Sequence, residues 1–243
     1  MKNEYRAPSS EQPVLEEKPS ITTVLFDAGG TLVHADLRFI HRTLRQAGIT
    51  ATLQVVRKAE GSAKRAVDRR MDDAVADTDE TRRQPYFAAM LDHLGIKKSV
   101  ATRLLAIFEA EHQQRNLWRS MSPSTPSVLQ ELRDRGLTLG VVSNSDGRIA
   151  SVLESCGIAK YFHVIVDSHD VGVEKPDPRI FHHALKKLKA KPAQTLYVGD
   201  IYSIDIVGAQ RAGLHAVLLD NGSGYFPPGC RIIHRLQPVL RMV

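Results

Sequence analysis

Asp27 closes the apolar run ITTVLF and is followed at once by Ala28, Gly29, Gly30 and Thr31. A carboxylate at that point can attack as a nucleophile, ligate a cation, or cap the turn that follows. Other reactive residue types stand at comparable places. Ser143 and Asn144 end LTLGVVSN, Lys175 and Pro176 lie in the loop after FHVIVDS, and Asp200 follows TLYVG with Asp205 five residues on. Three acids, a hydroxyl and a lysine suit chemistry at phosphorus. A carboxylate that attacks an anionic phosphoryl group needs positive charge to offset repulsion. Asp27 and Asp200 can share one divalent cation through carboxylate oxygens, with Asp205 a further ligand or an acceptor that holds the ligand waters. Ser143, Asn144 and the backbone N–H groups of their turn can cradle phosphate oxygens. Lys175 neutralises both the nucleophile and the transferring group. Gly30 lets the backbone approach a ligand, and Thr31 caps the turn. Each residue also has an ordinary reading: turn former, solvated loop charge or, for Asp205, an acid in the first turn of a helix.

These residues require elements that bring them together. The β-branched runs ITTVLF, LTLGVVS, FHVIVD, TLYVG and HAVLLD read as strands. SVLQELRDRG, GRIASVLESCG, DPRIFHHALKKLK and SIDIVGAQRAG repeat apolar residues every three or four positions, and Gly136, Gly157 and Gly213 sit where helices end. Near-continuous apolar strands alternating with helices predict an α/β fold, a parallel sheet with helices on both faces. Ligands of such sheets bind at the carboxyl ends of the strands, where the reactive residues fall. Residues 36–117 lack strand-like runs and read as about four amphipathic helices. They interrupt the α/β pattern as an inserted helical cap domain able to act as a lid. The α/β core domain is then 20–35 and 118–243, and residues 1–19 form a flexible N-terminal extension.

Composition narrows the partners. The chain has 243 residues, 42% apolar and 25% charged, a net charge of +6 and a pI near 9.4. The basic residues are interspersed with acids, as in AKRAVDRRMDD, and aromatics are only 6%. That pattern argues against nucleic acid and for anionic small molecules. No run of 18 apolar residues suggests a membrane span. Two cysteines, Cys156 and Cys230, give neither a disulfide framework nor a metal motif, so a cytoplasmic protein, monomer or homodimer, is expected.

Taken in order, DAGGT, SN, KP and GD with Asp205 resemble the motifs of the haloacid dehalogenase superfamily of hydrolases. The resemblance spans roughly residues 21–222, and the inserted helices are similar to that family's first cap type. It implies a Rossmann-like core, Asp27 as nucleophile, and Mg²⁺ held by Asp27, Asp200 and the carbonyl of Gly29. It implies a phosphatase acting on a small phosphorylated substrate through an aspartyl-phosphate. The family's phosphatases carry a second aspartate two residues after the nucleophile, which protonates the leaving oxygen and then activates water. Here that residue is Gly29. General acid–base catalysis of this kind is worth about 10²- to 10⁴-fold. Members without the acid include 2-haloacid dehalogenases, which do not need the metal, and phosphonate-cleaving enzymes, which form an imine on a cap lysine, for which Lys58 and Lys64 are the candidates. A metal- and phosphate-binding module with vestigial activity is a further alternative. His34, just past the first motif, is the nearest group in sequence able to replace the acid.

Overall fold

The computed structural model describes residues 20–72 and 79–243; the expected N-terminal extension lies outside the described residues. In chain order the elements are β1 (Thr23–Phe26), β2 (His34–Ala35), α1 (Leu37–Gln46), α2 (Leu53–Asp72), α3 (Asp79–His93), α4 (Lys98–Arg115), β3 (Trp118–Ser120), α5 (Thr125–Asp134), β4 (Thr138–Ser143) and α6 (Ile149–Ser155). They continue with β5 (Val164–Asp167), α7 (Ser168–Val171), α8 (Pro178–Leu188), β6 (Thr195–Gly199), α9 (Val207–Arg211), β7 (His215–Leu219) and β8 (Ile232–Ile233). Six strands form one parallel sheet in the order β5-β4-β1-β6-β7-β8. β1 lies at its centre, between β4 and β6. The chain builds outward on one side of β1 and then crosses to the other, so the carboxyl end of β1 opens on the crevice that serves such sheets as a ligand site.

Side chains alternate across the sheet because successive strand residues face opposite ways. Val24, Phe26, Leu139, Val141, Leu196 and Val198 pack with α5 and α6 through Val128, Leu129, Leu132, Val152 and Leu153. Leu25, Val142, Val166 and Tyr197 face the other layer and meet Ile180, Phe181, Ala184 and Leu185 of α8 and Ala209 of α9. This is the α/β architecture that the alternating runs predict. Local chemistry sets the helix ends. Asp177 accepts a hydrogen bond from the Arg179 N–H and Pro178 takes the first helical position, which starts α8 just after Lys175.

Helices α1 to α4 leave the sheet through β2 and return through β3, which pair antiparallel as a short ribbon. Nothing in the sequence pattern marks these two- and three-residue strands. Arg119 of β3 ties the ribbon down, lying 2.9 Å from Asp36 and 2.8 Å from Glu111 of α4. The helices share a core of their own that includes Ile40, Leu44, Val56, Phe87, Met90, Leu104 and Phe108. α2 rests directly on the sheet's carboxyl edge. Asp68 accepts hydrogen bonds from the Ser203 N–H and the Tyr225 hydroxyl, and Arg65 donates to the Gly224 carbonyl.

Candidate active site

The strand ends and the loops after them deliver seven of the expected residues to one cavity. Asp27, Ser143, Lys175, Asp200 and Asp205 all line it, together with Gly29 and Asn144, around an interior of about 120 Å³. Asp27, Asp200 and Asp205 each present an oxygen within 4.8 Å of the others. Among the described residues they are the only such group of three metal-ligating side chains.

Lys175 is the hub. Its ammonium, buried to 2% exposure, donates to Asp27 Oδ1 at 2.5 Å, Asp205 Oδ1 at 2.7 Å and the Tyr197 hydroxyl at 2.9 Å, so all three protons are used. Burial alone would lower its pKa, but the carboxylates of Asp205 and Asp27 outweigh that and raise it. Lys175 is therefore a fixed cation. Burial drives the Asp27 pKa the other way, well above the ordinary carboxylate value; Lys175 opposes the rise, while Asp205 and Asp200 reinforce it. Asp27 Oδ2 is buried with no hydrogen-bond partner. One oxygen of Asp27 is held and the other is open.

Asp205 differs. Its Oδ2 accepts from the backbone N–H groups of Asp200 and Ile201 at 3.0 Å, and its Oδ1 lies against Lys175 and Tyr197. Its oxygens are engaged in building the loop and holding the lysine. Asn144 is similarly occupied: its Oδ1 accepts from the Lys175 N–H at 2.8 Å and its Nδ2 donates to the Lys175 carbonyl at 3.0 Å. It positions Lys175 rather than presenting a free amide to a ligand. The Ser143 hydroxyl makes only a long 3.4 Å contact with the Asn144 carbonyl and remains available.

Gly30 and Thr31 are not among the lining residues of this cavity. Gly30 has φ +85°, and a Cβ there would come within 2.0 Å of Asp200 Oδ2, so its role is to let Asp200 approach β1. Thr31 is fully buried and faces a second cavity. His34 also belongs to that second cavity. Asn221 Nδ2 contacts its Nδ1 at 3.1 Å, and burial with the nearby Lys64 charge lowers its pKa to about 4. A histidine so placed and neutral does not reach over the Asp27 cavity.

Gly29 explains itself through its neighbour. A Cβ at this position would stand 3.3 Å from Trp118 Cδ1. The indole of the hinge ribbon occupies the direction in which an acid at position 29 would extend. Trp118 is held in turn by the rings of Phe87, His112 and Tyr86, with centroids at 5.5, 5.6 and 6.1 Å.

The helical segment contributes further groups at or beside this cavity; Lys64 is a candidate named from the sequence, whereas Arg82, Arg83 and His112 are not. Arg82 and Arg83 of α3 line it, paired with Glu174 and Glu109 respectively. His112 of α4 lines it too, with Nε2 3.3 Å from Asp146. Lys64 of α2 is 2% exposed, and its Nζ makes an ion pair with Asp200 Oδ2 at 3.1 Å. Burial would lower the Lys64 pKa, but Asp200 and Glu60 raise it. The Asp200 pKa lies at about 6, pushed up by burial against the pull of Lys64. Lys58 is exposed. Tyr197 reads in sequence as a core aromatic, and its hydroxyl gives the only signal: a buried phenol needs a polar partner. Lys64 gives a subtler one, since Glu60 and Lys64 share a helix face with the buried Val56, Ala63 and Val67.

This geometry can be set beside known proteins. A family model described as haloacid dehalogenase-like hydrolase matches residues 21–213, and the chain belongs to that family. It is 42% identical over 105 residues to "haloacid dehalogenase-like hydrolase domain-containing protein 3" of Bos taurus, a match covering 40% of this chain and 42% of that protein. A glyceraldehyde 3-phosphate phosphatase of Methanopyrus kandleri is 34% identical over 141 residues, covering 56% of this chain and 59% of the relative. The chain thus matches less than two thirds of the length of these relatives. In fold it is similar to the magnesium-bound crystal structure of a putative hydrolase of the family from Bacillus subtilis, with a TM-score of 0.63 at 19% identity over 91% of this chain and 98% of that one.

The donor set fits a hard divalent cation. Carboxylate oxygens are what Mg²⁺ prefers, and the orphaned Asp27 Oδ2 beside Asp200 is a buried acceptor in need of positive charge.

Proposed function

We propose that the protein is a Mg²⁺-dependent phosphatase acting on a small phosphorylated metabolite, with Asp27 as the nucleophile. The observation that carries this reading is the open, buried Oδ2 of Asp27, fixed through its other oxygen by Lys175 and facing a cavity lined by Ser143. Similarity to a phosphatase at 34% identity supports the same chemistry. Asp27, Asp200 and the Gly29 carbonyl would hold the ion. When bound, it would offset the negative charge shared by the carboxylates and the phosphoryl oxygens.

In the first step an Asp27 oxygen bonds to phosphorus, the bond from phosphorus to the leaving oxygen breaks, and that oxygen departs with the electron pair and takes up a proton. In the second, water attacks the aspartyl-phosphate, gives up a proton and frees phosphate and the Asp27 carboxylate. Lys175 stays protonated throughout and stabilises charge rather than moving a proton. Neither step receives an acid from position 29. Leaving groups that depart as stable anions therefore react readily, and water attack limits turnover. The helical segment, residues 36–117 in this reading, acts as a cap whose Trp118-side aromatic wall and paired arginines favour a compact substrate.

The imine reading requires a neutral amine, whereas Lys64 is held as a cation against Asp200 and Lys58 is exposed. The metal-free dehalogenase reading gives Asp200 no part beyond its ion pair with Lys64. The test is rapid mixing of an aryl phosphate with the Mg²⁺-loaded protein. A burst of about one equivalent of aryl oxide followed by slower release, absent in Asp27→Asn, is expected. Metal-bound protein that gives neither burst nor turnover would instead be a binding module.

A further inference from the structure

A second cavity of about 790 Å³ lies beside the β2/β3 ribbon, and neither Asp27 nor any of its partners lines it. Its walls come from both parts of the chain. α1 contributes Arg38, α2 contributes Arg57 and Glu60, and the core contributes the segment from Arg119 to Thr125, Asn221 and Arg235. Three features converge there.

The first is charge. Four arginines line the cavity against two acids, Asp36 and Glu60. Arg119 is committed to Asp36 and Glu111. For Arg38 of α1, Arg57 of α2 and Arg235 in the loop after β8, all exposed at the cavity's rim, no carboxylate lies within ion-pair distance among the described residues. Glu60 carries only part of its negative charge near neutrality, because burial raises its pKa to about 7.

The second is backbone. The N-terminus of α5 opens on the cavity, where Ser122, Pro123, Ser124 and Thr125 all form the wall. This ten-residue helix has no side-chain cap on its first turn and no acid within it. The Thr125 and Val128 N–H groups already donate to the Ser122 and Ser124 carbonyls and Pro126 has no N–H, so this end offers an anion the helix dipole rather than an array of free donors.

The third is an excess of unanswered polar atoms. Thr31 Oγ1, Thr125 Oγ1, Glu60 Oε2 and Asn221 Oδ1 are buried without a hydrogen-bond partner, and all four residues line this one cavity. Thr31 and Thr125 are fully buried. The two threonine hydroxyls can donate to an anion, whereas Asn221 Oδ1 and the ionised Glu60 carboxylate can only accept and call for a donor group on the same ligand.

From these we infer that the cavity is a second anion site, one that takes a small polyanion bearing phosphate or carboxylate groups between the helical segment and the core. The guanidinium groups supply charge and directional donors, the Thr31 and Thr125 hydroxyls supply further donors, and the α5 dipole adds to the attraction. Because Arg38 and Arg57 belong to the helices and Arg235 and α5 to the core, the bound anion bridges the two and holds them in the packed arrangement. The inference does not depend on the reaction at Asp27.

The experiment is thermal unfolding of the metal-free full-length protein in EDTA, titrated with inorganic pyrophosphate and, separately, citrate, with ionic strength matched by NaCl. Wild type should gain about 5 °C or more at pyrophosphate concentrations a hundredfold above Kd. Arg38→Glu with Arg57→Glu should abolish the gain. Citrate matching pyrophosphate assigns a general polyanion site, and pyrophosphate alone assigns a phosphate site; either supports the inference. Equal gains in wild type and the double variant, or no gain in wild type at 10 mM on the order of magnitude expected for a weak site, would overturn it. Should the double variant fail to melt cooperatively, Arg235→Glu, from the core side, must weaken binding at least about fivefold. Aryl phosphate turnover by these variants without added anion should match wild type, which separates this inference from the reading of the Asp27 site.

Discussion

The two cavities flank one ribbon and are built on opposite principles. The Asp27 cavity is small, and its polar groups are answered almost atom for atom: Lys175 by three partners, Asp205 by four donors, Asn144 by the backbone N–H and carbonyl of Lys175. The second cavity has more than six times the volume, with arginines that lack carboxylates and buried oxygens that lack donors. A site that performs chemistry must hold its groups before the substrate arrives, because preorganised charge costs no rearrangement in the transition state. A site that only binds can leave its groups for the ligand to satisfy. In the first cavity the exception is Asp27 Oδ2, on the residue that the proposed mechanism makes the nucleophile.

The comparison breaks most visibly at Lys175. Lys175→Met should lower aryl phosphate turnover by about 10²- to 10³-fold, because it removes the charge opposite the transferring group. It should also move Asp27 further from ionisation. Steady-state kinetics against pH check both, and a loss below tenfold would mean the hub is structural only.

Glu60 tests the second cavity through stability. Its pKa rises from 4.5 to about 7 on burial, so the folded state binds a proton that the unfolded state has released. The stabilisation is complete below pH 4.5 and is lost as pH rises through 7. The shift corresponds to a loss on the order of 3 kcal/mol across that window. Glu60→Gln should flatten this part of the curve, seen as a smaller fall in denaturation midpoint between pH 4.5 and 8. A parallel pair of curves would show that Glu60 ionises freely.

Lys64 joins the helical segment to the metal-ligand candidates. Lys64→Met removes a cation 3.1 Å from Asp200, and Mg²⁺ affinity should rise about tenfold as the competing charge disappears. Trp118 is the sole tryptophan and lines the cavity, so its fluorescence reports binding directly. With the Asp200 pKa at about 6, protons should compete with the ion below that pH, and affinity should fall as pH is lowered. Unchanged affinity in the variant would mean that Lys64 leaves Asp200 when metal binds.

The smallest effect belongs to Tyr197. Tyr197→Phe removes one of three acceptors of the Lys175 ammonium, a loss of about 1 kcal/mol or about fivefold in kcat. KM should hold, because the phenol touches no substrate. A rise in KM with constant kcat would assign Tyr197 a different part.

Much of this was written locally. Each strand-end residue follows a β-branched run, and the turn after it is set by neighbours in sequence, so Asp27, Ser143, Lys175, Asp200 and Asp205 could be placed on one sheet edge before any fold was known. The parallel sheet followed from the same runs because only strands covered on both faces can be apolar throughout. What could not be read was which group meets which. Asp205 and Asn144 have the residue types of ligands, yet tertiary packing turned both toward Lys175. Gly30 and Thr31 follow the nucleophile by three and four residues, yet one became the gap that admits Asp200 and the other faces the second cavity. The loss of an acid at Gly29 was plain in the sequence, but the indole in its place came from Trp118, ninety residues away in roughly round terms and joined only by the β2/β3 ribbon. The sequence by itself determined the sheet and which candidate residues lie at its edge, because both depend on short-range periodicity and turns. Only the tertiary structure decided that Lys64 would reach Asp200 and that arginines of two separate segments would face one cavity. A helix shows its apolar face in its own sequence, but what that face meets depends on packing between residues far apart in the chain.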